Sequence, residues 1–253
     1  MPAVTAVPPP PEESIHRIPR APLVDRIEFV LDRCRGRRVL HLGFVDETRM
    51  EERVAQGSWL HGQLRDVAAE LVGVDLSTEG VAAAAALGFD VHRADCEDAA
   101  ALARLPVEAA DVVLAGELVE HLTAPGRMLD AVRPLLRPGG ELLVTTVNAY
   151  ALTNAVAALL RLELVNSDHV AWYSWWTART LLERHGYELR ELAYYQYPRL
   201  QAVPGTPPAH RGRVAAFNAY RAAARPLLRL RPALAEGLVL VARPRAEPRP
   251  ARP

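Results

Sequence analysis

Three acidic side chains, Asp75, Asp95 and Glu117, stand where short apolar runs give way to polar residues. An ionised carboxylate only accepts hydrogen bonds, so it suits the two hydroxyl groups of a ribose or an exocyclic amine such as that of adenine. Asp75 lies thirty-two positions after Gly43, which ends an earlier apolar run, and we predict that it binds a ribose. We predict that Asp95 accepts from an adenine amine while the backbone of Cys96 faces a ring nitrogen.

Two of these acids also have a purely structural interpretation. Asp75 could cap the N-terminus of the helix that follows it, since aspartate is a favoured N-cap. Asp95 could simply form a turn, because its side chain readily bonds to nearby backbone amides. The residues alone leave both alternatives open.

Side chains that could take a proton from a substrate are also present. His121 and Glu117 follow the same apolar run, and His169 lies in a long segment rich in aromatic residues. Histidine titrates near neutral pH, which suits a general base. For His121, a structural hydrogen bond is the favoured interpretation. The eight histidines show no metal-ligand spacing, so we expect no bound metal.

Strands must bring these residues together, and the sequence predicts five of them in alternation with helices. Parallel strands buried on both faces appear as nearly continuous runs of Val and Leu. The runs are RVLHLG (38–43), LVGVDLS (71–77), VHRADCED (91–98), DVVLAGELVEHL (111–122) and LRPGGELLVTT (136–146), with helices predicted over 78–88 and 124–136. This pattern is typical of an α/β protein with a doubly wound sheet, whose ligands bind at the carboxyl ends of the strands.

Further elements are predicted before and after this core. An amphipathic helix is expected over 21–34, and Ser58 is the expected N-cap of a helix between the first two strands. After the fifth strand, a helical lid over the strand ends is expected at about 148–177. The remaining predictions are a helix over 152–162, a loop over 166–169, a helix over 177–185, a strand over 187–197, a helix over 213–228 and a last strand over 236–244.

The segments GVDLS, ADCED, GELVEHL and LRPGGELLVTT together resemble the class I S-adenosylmethionine-dependent methyltransferases, over roughly residues 22–243. The resemblance implies a Rossmann-like sheet of seven strands with an antiparallel last strand, and S-adenosyl-L-methionine as the cofactor. It places Gly43 at the methionine end of the cofactor, with His41 and Phe44 beside it. It also implies Asp75 and Leu76 at the ribose, Asp95 and Cys96 at adenine, and Gly116 and Glu117 at the methyl-transfer site.

The glycine loop after the first strand departs from the family. An acidic residue and three glycines are usual there, whereas this chain reads HLGFVDETRM, with His41 in the acid's position and only Gly43 retained. We expect Trp59 and His61, in the first turn of the following helix, to face the strand ends and supply what the glycines would have supplied. The alternative is that Trp59 belongs to the core.

Composition bounds the remaining possibilities. The chain has 253 residues, half of them hydrophobic, which fits one α/β domain over 19–243 between disordered tails at 1–18, which is Pro-rich, and 244–253. Thirty basic residues balance thirty acidic ones, so no nucleic-acid or membrane partner is expected. Two isolated cysteines and no apolar run of about 18 residues predict a cytoplasmic protein in a reducing compartment. A homodimer is possible.

The function expected from these features is methyl transfer from S-adenosyl-L-methionine to an oxygen or nitrogen of a small molecule. The acceptor would be a secondary metabolite, a sugar or a glycan precursor, with His169, His121 and Glu117 as candidate catalytic residues. One alternative is a methyltransferase fold that has kept only a binding or scaffold role. Another is an NAD-dependent oxidoreductase, against which the missing G-x-G-x-x-G counts.

Overall fold

The computed structural model describes residues 15–46, 49–200 and 207–245. Most of the two predicted tails, 1–18 and 244–253, lies outside the described residues. Residues 15–18 are described and exposed, and the ring of His16 stacks on Trp176 with the ring centroids 3.3 Å apart.

The described residues form one eight-stranded sheet with helices on its faces. The strands are β1 (Leu23–Val24), β2 (Arg38–Leu42), β3 (Glu70–Asp75), β4 (Val91–Arg93), β5 (Ala110–Gly116), β6 (Leu136–Val147), β7 (Tyr187–Tyr195) and β8 (Gly237–Pro244). The helices are α1 (Arg26–Cys34), α2 (Met50–Ala55), α3 (Leu60–Arg65), α4 (Thr78–Ala86), α5 (Ala99–Leu102), α6 (Pro125–Val132), α7 (Leu152–Leu159), α8 (Trp175–Arg184) and α9 (Pro208–Leu230).

The strand order is β1-β7-β8-β6-β5-β2-β3-β4. Strands β2 to β6 pair in parallel, and β8 lies between β6 and β7, antiparallel to both. The predicted doubly wound α/β fold with an antiparallel last strand is therefore confirmed. The count of seven strands was one too few, because Leu23 and Val24 add a short edge strand beside β7.

The centre of the sheet is dry on both faces, as the Val and Leu runs predict. Val112, Val113 and Leu114 in β5 have no exposed surface, and neither have Leu142 and Leu143 in β6. Their carboxyl ends therefore lie on a rigid platform, and the loops that follow β2, β3, β4 and β5 share one edge of it.

Several predicted boundaries differ from the observed ones. The helix expected over 21–34 begins only at Arg26, where Asp25 caps it by accepting from the Glu28 amide at 3.0 Å. Ser58 is not an N-cap: α3 begins at Leu60, and its N-cap position is Trp59, which makes no side-chain cap bond. The helix predicted over 213–228 is longer, at Pro208–Leu230.

Gly73, in the middle of β3, occupies the tightest space beneath the strand ends. A Cβ there would lie 2.8 Å from His61 Cε1, 2.8 Å from Phe44 Cδ1 and 2.9 Å from Val91 Cγ1. Because Gly73 has no side chain, the side chains of His61, Phe44 and Val91 can pack directly against β3.

Gly73→Ala is therefore expected to destabilise the protein by about 1–3 kcal/mol, because the rigid neighbours must move apart. Gly212→Ala is the matched control, since a Cβ at Gly212 in α9 meets nothing within 4 Å. Alanine there should stabilise the helix by about 0.5–1 kcal/mol. The free energy of unfolding from urea denaturation measures both, and equal effects would contradict the packing described here.

Candidate functional site

The loop after β2 turns at Gly43, as predicted. Gly43 has φ +65°, a left-handed conformation that favours glycine, and its amide donates to the Val74 carbonyl at 2.9 Å. A Cβ on Gly43 would lie 2.8 Å from Leu118 Cδ1. The loop after β5 therefore packs directly on this glycine, and the backbone at Gly43 joins the ends of β2, β3 and β5.

Beneath this loop lies an aromatic cluster, and it corrects one prediction. Trp59 and His61 do not face the strand ends: they are 4% and 0% exposed. Trp59 Nε1 donates to the Phe44 carbonyl at 3.0 Å, and the Phe44 and His61 rings stack 4.7 Å apart. Trp59 is a core residue, as the alternative interpretation of the sequence predicted. Its hydrogen bond to Phe44 fixes the backbone of the loop after β2, where the family's glycines would allow more conformational freedom.

His41, which takes the place of the family's acidic residue, belongs to the same buried cluster. Its Nδ1 lies 3.1 Å from His61 Nδ1, so one ring donates and the other accepts. Burial lowers the pKa of His61 to about 3. Burial and the neighbouring imidazole hold the pKa of His41 well below its usual 6.5. Both rings are neutral, and neither presents a charge or an exposed edge to a cofactor.

Asp75 lies at the end of β3 and bridges two loops. Its Oδ2 accepts from the Val45 amide at 2.9 Å and its Oδ1 accepts from the Ser77 amide at 2.9 Å. The capping alternative fails, because Ser77 is the N-cap of α4 and accepts from the Gly80 amide. A carboxylate has about four lone-pair positions, so two remain for the hydroxyl groups of a ribose.

The neighbours of Asp75 suit an adenosine. Leu76 is 58% exposed beside it, an apolar surface at the strand ends. Asp95 Oδ1 accepts from the Glu97 amide at 2.8 Å, which keeps the carboxylate in a turn and leaves its second oxygen without a described partner. Cys96 is half-buried, and burial with the nearby carboxylates raises the pKa of its thiol to about 12.

Glu117 follows Gly116 at the end of β5 in a left-handed conformation, with φ +55°. This region is uncommon for residues other than glycine and persists where neighbours enforce it. The neighbours are Tyr195 and Tyr197, whose hydroxyl groups each donate to one carboxylate oxygen of Glu117. Burial raises the pKa of both phenols, so they remain donors. Both oxygens of Glu117 are thus engaged, and its charge is fixed in place.

Glu120 and His121, on the loop after β5, lie beside His169, and the possible ligand atoms of all three lie within 4.8 Å of one another. The Val170 amide donates to the Glu120 carbonyl at 2.8 Å, which pins the segment after α7 against the loop after β5. The rings of His121 and His169 meet edge to face with centroids 4.6 Å apart. Two of the predicted catalytic residues are therefore neighbours.

Glu120, His121 and His169 form a set of possible metal ligands that spacing along the sequence did not reveal. Glu120 is fully buried, and burial with the nearby Glu117 raises the pKa of its carboxyl to about 8. Its Oε2 accepts from Thr146 Oγ1 at 2.9 Å, while Oε1 has no described partner. One carboxylate and two imidazoles could hold a divalent cation. A cation there would have to displace the proton that Glu120 otherwise carries at neutral pH.

Arg26 is a site residue that the sequence did not single out. It is the first residue of α1, and its Nη1 lies 3.4 Å from Thr145 Oγ1 and 3.9 Å from the position of a Cβ on Gly116. Its guanidinium carbon lies 5.7 Å from the centroid of the Tyr195 ring. Among residues 15–46, 49–200 and 207–245 this half-buried cation forms no ion pair, although its charge acts on the carboxyl of Glu120 and partly offsets the rise in pKa that burial causes there.

These groups fit S-adenosyl-L-methionine. Asp75 and Asp95 offer acceptors for the ribose and the adenine amine, and Leu76 offers an apolar surface. Arg26 offers a cation near the end of β5, where a carboxylate of the methionine moiety would be its counterpart.

Comparison with known proteins identifies the family. A family model described as a methyltransferase domain matches residues 55–192. The ubiquinone biosynthesis O-methyltransferase of Rhodopseudomonas palustris strain TIE-1 is 32% identical over 138 residues, 53% of each chain. That of Psychrobacter cryohalolentis is 33% identical over 88 residues, 32% of this chain and 33% of the relative. The chain thus matches a third to a half of the length of these relatives.

Solved structures share the fold. A SAM-dependent methyltransferase from Archaeoglobus fulgidus has a TM-score of 0.51 at 16% identity, covering 86% of this chain and 90% of that one. The magnesium protoporphyrin IX methyltransferase from Synechocystis PCC 6803, with bound SAH, has a TM-score of 0.50 at 13% identity, covering 87% and 82%. The [4+2]-cyclase SpnF has a TM-score of 0.51 at 20% identity, covering 87% and 81%.

The chain belongs to this methyltransferase-domain family. Its fold is that of the class I, Rossmann-like methyltransferases. The family match sets the oxidoreductase alternative aside. The roles of the individual site residues remain predictions.

Asp75→Ala should weaken binding of S-adenosylhomocysteine at least ten-fold, because it removes charge-assisted hydrogen bonds of about 1.5–3 kcal/mol. Asp75→Asn, which keeps one acceptor oxygen, should lose less. Asp90→Ala is the matched control, since Asp90 is exposed just before β4, at the far end of the strands. Calorimetric titration measures all three, and unchanged affinity in Asp75→Ala would remove Asp75 from the site.

Proposed function

We propose that this protein transfers a methyl group from S-adenosyl-L-methionine to an oxygen atom of a small molecule. The observation that carries the proposal is the contact between His121, on the loop after β5, and His169, on which the charge of Glu117 also acts. A hydroxyl acceptor must lose a proton on methylation, and this is the chemistry for which a general base is needed. The names of the relatives, ubiquinone biosynthesis O-methyltransferases, support an oxygen acceptor.

The reaction is an in-line displacement at carbon. When bound, the cofactor supplies a sulfonium methyl group and leaves as a neutral thioether. The acceptor oxygen forms the new bond to carbon, and its proton passes to a base of the protein. The protein mainly aligns donor and acceptor and excludes water.

His169 is the base in this proposal. Burial, with the neighbouring His121, lowers its pKa below the usual 6.5, so its imidazole is neutral and can accept a proton. It is carried by the segment after α7, which the Val170 amide fixes to the loop after β5. His121 contacts His169 edge to face and orients it.

Glu117 has a different part in this proposal. Because both of its oxygens accept from tyrosine hydroxyls, it is poorly placed to take a further proton. Its fixed negative charge instead favours positive charge at the end of β5, such as a sulfonium or a protonated His169. The acceptor would therefore lie between this carboxylate and the two histidines.

Arg26 would hold the carboxylate of the cofactor's methionine moiety. Arg26→Gln should then weaken binding of S-adenosylhomocysteine about ten-fold or more, since a charge-assisted pair is lost. Binding of 5′-methylthioadenosine, which lacks the amino-acid moiety, should change little. Calorimetry with both ligands separates these cases, and an equal loss for both would make Arg26 a structural residue.

His169→Ala should reduce turnover by about 100-fold or more, the usual contribution of a general base. Affinity for S-adenosylhomocysteine should stay the same. The assay follows release of S-adenosylhomocysteine in the presence of a panel of phenols, catechols and sugars, with His210→Ala in exposed α9 as the matched control.

The same assay separates a base from a metal ligand. Activity that survives a chelator but fails in His169→Ala supports the proposed base. Activity that disappears with the chelator and returns with Mg²⁺ or Mn²⁺ would instead make Glu120, His121 and His169 a metal centre. A panel in which only amines react would overturn the oxygen acceptor.

A further inference from the structure

The balanced charge of the chain hides a strongly basic segment. Between Glu191 and Glu236 there is no acidic residue, while seven arginines occur: Arg199, Arg211, Arg213, Arg221, Arg225, Arg229 and Arg231. Most of them belong to α9 or its C-cap. Only Arg221 forms an ion pair among the residues that the structure describes, with Glu236. The other described arginines of this segment leave their charge on the surface.

One side of α9 packs on the body of the protein. Val214, Phe217 and Leu228 are half-buried or buried along this side, and Arg221 is 5% exposed among them. Arg221 Nη1 donates to the Pro198 carbonyl at 2.8 Å, and Nη2 lies 2.6 Å from Glu236 Oε2. These contacts hold α9 on the protein, so its opposite side faces away from the protein body.

The opposite side of α9 is apolar and exposed, with basic borders. Ala216, Ala219 and Ala223 share it, and Leu227 and Leu230 continue it with 41% and 67% of their surface exposed. At 100° per residue, Arg211 and Arg229 lie on one flank of this strip and Arg213 and Arg231 on the other, while the exposed Arg225 lies nearer the packed side.

We propose that this face of α9 docks on an anionic lipid surface. An apolar strip bordered by arginines is the arrangement of helices that lie in the plane of a membrane interface. Arginine stems extend along the strip while the guanidinium groups reach the lipid phosphates. This proposal goes beyond the expectation drawn from net charge, because attraction to a surface depends on where the charges lie.

Two other occupants fit less well. A second copy of the chain would bring the same arginines against one another, which is repulsive. A nucleic acid would use the guanidinium groups but would leave Leu227 and Leu230 without a partner. The lipid surface is the occupant that accounts for both the charge and the leucines.

Flotation with lipid vesicles tests the proposal on the full chain. The wild-type protein should bind vesicles of phosphatidylcholine mixed with phosphatidylglycerol, fail to bind phosphatidylcholine alone, and be released by high salt. The triple variant Arg211→Gln, Arg213→Gln, Arg229→Gln should weaken binding about five-fold for each charge removed. Leu227→Ser with Leu230→Ser should weaken it as well.

The matched control is Arg104→Gln, Arg127→Gln, Arg184→Gln, which removes three exposed arginines outside α9 that form no described ion pair. It should bind vesicles like the wild type. Unchanged affinity for S-adenosylhomocysteine shows that each variant is folded. Equal vesicle binding by the two triple variants would overturn the proposal, and so would equal binding to neutral vesicles. Tight binding of duplex DNA, with vesicle binding insensitive to the leucine changes, would assign the face to a nucleic acid instead.

Discussion

The buried ion pair between Arg221 and Glu236 joins the late elements of the chain to the reaction site. Glu236 Oε2 also accepts from the Tyr197 amide at 2.9 Å, and its Oε1 accepts from Thr153 in α7 at 3.3 Å. One carboxylate, just before β8, thus connects α9, the segment after β7 and α7. Removing one partner of such a pair leaves an uncompensated buried charge, which typically costs about 3–5 kcal/mol.

The effect of this pair reaches Glu117 through Tyr197. The tyrosine backbone is fixed by Arg221 and Glu236, and its hydroxyl group donates to the Glu117 carboxylate. Orientation at the end of β5 therefore depends on a helix that contributes no side chain to the strand ends. Methyl transfer relies on alignment more than on acid-base power, so a rigid support of this kind matters for the reaction.

The sheet and the acids at its edge could be predicted because they depend on local pattern. The Val and Leu runs predicted β2 to β6 and a last strand, β8, and Asp75 and Asp95 lie where the strands end. The antiparallel direction of β8 was implied by the family resemblance. The burial of His61 could not be predicted in this way, since its ring packs against β3 only because Gly73 has no side chain. The contact between Glu120 and His169 depends on how the long segment after α7 folds back against the loop after β5. No feature of the sequence around Arg26 marks it as a site residue. The net charge sums over the whole chain, so it did not reveal that α9 is strongly basic.

The two cysteines illustrate a last consequence of burial. Cys34 is fully buried in α1, and burial raises the pKa of its thiol to about 12, as it does for Cys96. Only the thiolate reacts with disulfides or maleimides, and the raised pKa keeps both thiols protonated at neutral pH. Both native thiols are therefore chemically quiet. A cysteine introduced on an exposed surface would take up a fluorescent label selectively, which opens α7 and α9 to spectroscopy without first removing either natural cysteine.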